Sequence, residues 1–380
     1  MVFINGNIHP VEGEDYWGGF RVVDGKFAEL GDLSPLAEEE VIDLNGLHVW
    51  PGMVEAHCHL GMEDSAIGYE GNDVNEMGTD PITPQMRGID GINPLDESVV
   101  NARNAGITTV ASGPGSGNVV GGTFLAWKTA GTCIDDMLVE DPIAMKAAFG
   151  ENPKRVYRDK GINTRMGVAA RLRELLEQTI DYKNRKEAAQ DNPLRLPAYN
   201  AKLEAMIPVV EGKLTLKCHA HQANDILTVI RIAKEYNLDV TLDHCTDGEL
   251  IIKEIARAGY PVIAGPSFTH KTKHELAHKS FGTPKVLWEN GVLFSITTDS
   301  PVVPQEYLAL CAGLACKEGL PEEEAIKAIT INPARILKLD ERLGSIAPGK
   351  DADFIIKDGH LLDPYAEVKA VYIDGKPVTA

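Results

Sequence analysis

Eight short apolar runs, each closed by a turn or followed by a helix-like pattern, constrain this chain more than any other feature. They are HVWPGMVEAHCH (48–59), GITTVASG (106–113), GTFLAW (122–127), PIAMKAAFG (142–150), LTLKCHAH (214–221), LDVTLDHC (238–245), YPVIAG (260–265) and VLFSITTD (292–299). Apolar strands alternating with helical stretches are the mark of repeated βα units and a parallel sheet. Between residues 164 and 186, Val168, Leu172, Leu175, Leu176 and Ile180 fall on one face of a helix. In ANDILTVIRIAKEYNL, Asn224 or Asp225 is placed to cap a second helix and the Asn237 region to stop it. Eight strands are what a closed (β/α)8 barrel needs.

The two ends of the chain have a different texture. FINGNIHP, GGFRVVDGKFAEL and EVIDLNGLHVW near the start, and DADFIIKDG and VKAVYIDGKPV near the end, are short β segments punctuated by Asn-Gly and Asp-Gly turns. The expected fold class is α/β: a (β/α)8 TIM barrel over residues 51–346, with a small composite β domain built from 1–50 and 347–380.

Where the polar residues fall matters most. His57 and His59 end the first run, and alternation along a strand turns both to the same side, about 6.6 Å apart. His219 and His221 end the fifth, His244 the sixth and Asp299 the eighth. In a barrel all these strand ends open on one face, where active sites are built. A single histidine there reads as a structural core residue. Imidazoles and a carboxylate from four strand ends read as a metal centre. Two metals would also need a bridging anion from the fourth strand, where AMKAAFGENPK offers two candidates. Lys146, within the strand, would serve as a carbamate after adding carbon dioxide; Glu151, at its end, needs no modification. The reading leans to Lys146.

Composition closes off other classes. Net charge is −19, which argues against binding a phosphate backbone. No run approaches the ~20 apolar residues of a membrane span, and MVFINGNIHP lacks a basic segment followed by an apolar one. The six cysteines include no Cys-x-x-Cys pair and fit a reducing cytoplasm, with Cys58, Cys218 and Cys245 as buried strand residues. The expected partner is a small-molecule substrate, with neither nucleic acid nor membrane; a homo-oligomer is left open.

The set His57-x-His59, a fourth-strand Lys or Glu, His219, His244 and Asp299 resembles the amidohydrolase superfamily over nearly the whole chain. VWPGMVEAHCH is similar to that family's first barrel strand, and AITINPARILKLDERLGSIAPGKDADFII (328–356) to its C-terminal signature. FGENPKRVY and CHAHQANDI look most like the branch with imidazolonepropionase and the Xaa-Pro dipeptidase relatives. The resemblance implies that His57 and His59 hold the more buried metal, that His219 and His244 hold a second, and that the fourth-strand donor bridges them. It implies that Asp299 binds the first metal and acts as general base and then acid. The family usually needs one histidine on strand five, so His221 is assigned to substrate or to a supporting contact.

The metal expected is a divalent ion, Zn2+ first, one or two per chain. Tyr69, Arg165, Lys154, Arg155, Gln222, His270 and Lys271 lie in βα loops or near helix starts, where a cation would meet a substrate carboxylate. His270, His274 and His278 are spaced as one helix face, and GPGSGNVVGG reads as a flexible turn over the site. The long Gly-, Asp- and Pro-rich loop from 61 to 97 would lie over the barrel mouth. The expected activity is metal-dependent hydrolysis of a C–N bond in an amide, cyclic amide or dipeptide. The alternative is a one-metal deaminase or an imidazolone-type ring-opening hydrolase.

Overall fold

The computed structural model describes residues 1–65, 68–76, 78, 80–190 and 192–378. One sheet takes strands from both ends of the chain: β1 (Val2–Ile8), β2 (Tyr16–Val23), β3 (Lys26–Gly31), β4 (Val41–Asp43) and β5 (His48–Pro51) early, with β14 (Phe354–Lys357), β15 (Val368–Ile373) and β16 (Lys376–Pro377) late. Their order is β16-β15-β14-β5-β1-β2-β3, with β4 beside β1. The core of this sheet is aromatic. Phe3 stacks on Phe20 at 4.6 Å between ring centres, and Phe354 on Tyr372 at 4.5 Å.

The second sheet holds the eight apolar runs in sequence order, the first run dividing at Gly52 so that its HVWP part is β5 of the other sheet: β6 (Met53–Cys58), β7 (Ile107–Ser112), β8 (Val120–Lys128), β9 (Leu138–Ala148), β10 (Thr215–Ala220), β11 (Val240–His244), β12 (Val262–Ala264) and β13 (Phe294–Ile296). Every residue of β6, β7, β8 and β10 is buried, which is why these strands read as continuous apolar runs instead of alternating ones.

One strand departs from a uniformly parallel barrel. β8 pairs antiparallel with both β7 and β9, whereas the other neighbours are parallel. The links explain it. Residues 113–119 and 129–137 are shorter than the dozen or more residues a parallel crossover takes. The chain therefore reverses twice, and β8 carries Lys128 to the end of the barrel away from the histidines.

The outermost strands, β13 and β6, meet through single bonds. The His59 backbone N donates to Ser300 O at 2.7 Å, and Thr297 Oγ1 donates to His57 O at 2.7 Å. Buried Glu55 ties the seam: it accepts from the backbone N–H groups of His57 and Thr298 and from Gln305 Nε2. The result is a nearly closed eight-stranded barrel with helices around it.

The helix Arg165–Ala189 buries Val168, Leu172, Leu175 and Leu176, and Thr164 caps it by accepting from Gly167 N. The helix Ala223–Tyr236 stops where Asn237 adopts the left-handed conformation. Its start differs from expectation, because Asn224 and Asp225 lie inside the first turn. Asp247, from the loop after β11, caps it from outside, accepting from Ala223 N at 3.0 Å. SFTHKTKHELAH forms no helix beyond the short 3-10 turn His274–Leu276, so His270, His274 and His278 share no helix face. Among the described residues no helix is long and apolar enough to cross a membrane.

Candidate metal centre

The strand ends bring the imidazoles to one place. His57, His244 and Asp299 form one group whose ligand atoms lie within 4.8 Å of one another; His219, His221 and His244 form another. His244 belongs to both. Asp299 Oδ1 is 3.5 Å from His57 Nε2 and 3.4 Å from His59 Nε2. Lys146 Nζ, fully buried on β9, is 3.1 Å from His57 Nε2.

Three of the rings are oriented by a contact of Nδ1 with a carboxylate or a backbone carbonyl. His57 Nδ1 meets Asp243 Oδ2 at 2.8 Å, His59 Nδ1 meets Gly113 O at 2.7 Å, and His244 Nδ1 meets Gly265 O at 2.8 Å. A ring that donates from Nδ1 keeps a lone pair on Nε2, the arrangement that a metal-binding histidine uses. His221 Nδ1 is likewise occupied, by Thr246 Oγ1 at 2.7 Å.

Asp243 and His244 are sequence neighbours, and a regular strand would send them to opposite faces. Both reach His57, because His244 and Cys245 have positive φ angles of 74° and 50° and break the alternation. Asp299, at φ 54°, is turned the same way into the site.

Burial sets the protonation states. It is the largest influence on His57 and His244, pushing each down to about 3, with Lys146 adding to the effect at both. His219 and His221 are held well below the ordinary histidine value by burial and then by His244. Neutral rings are the form that coordinates a metal. Burial also brings Lys146 down to about 8. It pushes the Asp299 carboxyl up, yet His244, His59 and His57 together hold it well below the carboxylate range.

The residues fit a divalent metal on a direct observation. His219 Nδ1, His244 Nε2 and Asp299 Oδ1 are buried and have no hydrogen-bond partner among the described residues. A buried polar atom without a partner costs about 1–3 kcal/mol, and such atoms on residues of two ligand groups that share His244 mark a place for a cation.

The family model described as "Amidohydrolase family" matches residues 160–378. The chain belongs to the amidohydrolase family. An amidohydrolase structure from Thermotoga maritima MSB8 superimposes with a TM-score of 0.96 at 38% identity, covering 100% of this chain and 99% of that one. The amidohydrolase tasK of Hapsidospora irregularis is 28% identical over 95% of this chain and 40% of its own length. Adenine deaminase 1 of Desulfotalea psychrophila is 22% identical over 98% of this chain and 56% of its own length. The chain thus spans about half the length of these curated relatives.

Within this amidohydrolase, the two fourth-strand candidates separate. Lys146 stands beside His57. Glu151 opens the helix Glu151–Val156, donates its backbone N–H to Glu275 Oε2 at 2.9 Å, and is not among the residues lining the cavity. Gly150 makes the turn between them at φ 84°, where a Cβ would come 2.9 Å from both Asp225 Oδ2 and Glu275 Oε2.

A cavity of about 400 Å3 opens above the imidazoles; His59, His219, His221 and Asp299 lie on its floor, and Glu63, Val74 and Glu76 from the 61–97 loop line it. The turn 113–119, expected to be flexible, is buried, and its Ser116 lines the cavity. Of the residues proposed for substrate, His221 and Arg155 line this cavity, while Tyr69, Lys154, Arg165, Gln222, His270 and Lys271 do not. Arg165 is committed elsewhere: its guanidinium pairs with buried Asp225 at 2.9 Å and bonds Gln222 Oε1. Tyr69 and His270 are exposed, and His278 pairs with Asp247 at 2.8 Å.

Sequence reading passed over several residues the site depends on. Lys217 Nζ lies 3.3 Å from Asp243 Oδ2 and 3.0 Å from Ala56 O. Burial pushes the Asp243 carboxyl up, but Lys217 and His57 outweigh it and keep it charged. Asn152, Lys273, Glu275 and Lys279 were also missed. Period-2 spacing from His219 to Lys217 was the available signal for the first of these.

Proposed function

We propose that this protein is a metal-dependent hydrolase of C–N bonds in small molecules, with amides, cyclic amides and dipeptides as the substrate range. The observation that carries the reading is the convergence of five buried imidazoles, Lys146 and Asp299, with bare ligand atoms on His219, His244 and Asp299. His57, His59 and Asp299 would hold one divalent metal. His219 and His244, joined by His221, would hold the other, with Lys146 between them as a carbamate. Zinc suits a set dominated by neutral imidazole. Such ions would supply Lewis acidity, polarising a carbonyl and acidifying a water.

The chain's own groups do the rest. Lys146, lowered to about 8, has enough free amine near neutral pH to add carbon dioxide, its nitrogen attacking the carbon and its proton leaving to solvent. Asp299 takes the proton of the attacking water and returns it to the departing nitrogen. Asp243 and Lys217 hold His57 in place from behind. The buried floor around Phe124, whose ring lies 5.3 Å from that of His57, keeps bulk water away. Free cysteines throughout the described chain agree with a cytoplasmic setting.

A second reading, a one-metal deaminase, is favoured by the adenine deaminase match over 98% of this chain. Metal analysis of protein purified without chelator, together with turnover of N-acyl amino acids, dipeptides, cyclic amides and aminopurines, tests both. Two equivalents with amide turnover support the first reading. One equivalent with ammonia release from an aminopurine supports the second, and no metal with no turnover sinks both.

A further inference from the structure

Part of the cavity lining is cationic in a chain that carries a net charge of −19. Arg155, Lys273 and Lys279 all line the cavity. Lys273 is neutralised, 3.3 Å from buried Glu275, and also donates to Asn152 Oδ1 at 2.8 Å. The other two are not. Among the described residues, the polar partner of Arg155 is Asn152 Oδ1, and those of Lys279 are Thr269 Oγ1 and His270 O. None of these is a carboxylate. Lys279 is half-buried, and burial and then Lys271 both act to lower its pKa. The loop 269–279 is curled so that Lys271 and Lys279 donate to its own carbonyls, Ala277 O at 2.7 Å and His270 O at 3.1 Å. Arg155 and half-buried Lys279 thus line the cavity without a carboxylate bonded to either among the described residues, which leaves both free to pair with an anion.

We infer that Arg155 and Lys279 form the specificity site for a carboxylate carried by the substrate, so that the enzyme takes anionic amides of about dipeptide size and discriminates against their neutral counterparts. The inference rests on the hydrolytic reading and narrows it. The planar fork of Arg155 matches the two oxygens of a carboxylate, and Lys279, lining the same cavity, supplies a point charge. The volume of about 400 Å3 fits a substrate of that size. Lys273, already paired, holds Asn152, whose Nδ2 donates to Ser116 Oγ at 2.7 Å. It therefore fixes the wall and leaves the charge to the other two.

The test uses the full metal-loaded chain. Each amide that turns over is compared with the same molecule bearing a primary carboxamide in place of the carboxylate. The expected ratio of kcat/KM is at least 30-fold in favour of the carboxylate. In Arg155→Gln and Lys279→Met it falls towards one, mainly through KM, and Lys279→Arg retains it. Equal turnover of the two members of each pair overturns the inference and leaves the hydrolase reading standing.

Glutarate binding, followed by calorimetry, gives a readout independent of turnover. Weakening of 10-fold or more in Lys279→Met supports the carboxylate site even if no amide is cleaved. Binding equal to wild type shows that the metals alone hold the anion, and overturns it. Inorganic phosphate binding more tightly than glutarate reassigns the wall to phosphoryl groups and overturns it too.

Discussion

Lys146 Nζ stands 3.1 Å from His57 Nε2, and neither side chain has any surface open to solvent. A buried amine donating to the imidazole nitrogen that would ligate a metal takes up that ligand's own lone pair. The contact is understandable if the amine is the precursor of an anion that two cations share. Lys146→Met keeps the volume and removes that anion. It is expected to lose one metal equivalent and at least ~100-fold in kcat/KM, as loss of groups that fix a metal does. Metal analysis and steady-state kinetics check this. Added acetate or propionate should restore part of the activity to Lys146→Ala, whose smaller side chain leaves room for it. Full metal content in Lys146→Met would remove Lys146 from the centre.

Asp243 holds His57 from behind at 2.8 Å and is itself held by Lys217 at 3.3 Å. Asp243→Asn keeps the shape but loses the charge that Lys217 needs and that raises the basicity of His57. Metal affinity should fall about 10- to 100-fold. Competition with a chromogenic chelator measures it. Lys217→Met should act in the same direction by loosening Asp243. Unchanged affinity in both variants would mean that the pair serves packing alone.

Asp299 reaches His57 and His59 and also keeps surface towards the cavity, 13% of its side chain. As the group that moves the proton, its replacement by Asn should cost about 10^2- to 10^4-fold in kcat. The acidic limb of the kcat profile should vanish with it. A variant that keeps that limb would assign the proton transfer to another group.

How much of this was legible in the letters depends on the range of the cause. The eight strands and the histidines at their ends follow from apolar runs and period-2 alternation, both local. The reversal of β8 was also written locally, in the short links 113–119 and 129–137, but the regular βα pattern around them masked it. The inward turn of both Asp243 and His244 was not legible, because it depends on backbone angles imposed by packing. Pairings across distance were hidden as well. Arg165 looked free for substrate until Asp225, sixty positions away, claimed it. The spacing of His270, His274 and His278 was correct for a helix, but the segment curls so that Lys271 and Lys279 bond its own carbonyls.

The reversed strand has a consequence for stability. β8 delivers Lys128 to the junction with the composite sheet, where Nζ lies 3.0 Å from Asp351, 2.8 Å from Asp353 and 2.8 Å from Asp374. Lys26 at 2.9 Å and Arg342 at 2.8 Å also hold Asp351. Burial pushes the Asp351 carboxyl up, but Lys128 and the other cations outweigh it and bring it down to about 2, below its ordinary value of 3.8. A depressed carboxylate stabilises the fold above its unfolded-state pKa, and that contribution drains away as pH falls from 3.8 to about 2. Lys128→Met leaves buried carboxylates facing one another, at a cost of about 3–5 kcal/mol. Burial already raises the Asp353 carboxyl above its ordinary value in the wild type, and loss of Lys128, the first of the contacts that lower it, would raise it further. Acidification from pH 7 to pH 5 should therefore stabilise the variant more steeply than the wild type, while the contribution of Asp351 to the wild type stays constant over that range. Urea midpoints at a series of pH values read both slopes. Parallel curves for variant and wild type would show that the junction is held by its apolar contacts and not by Lys128.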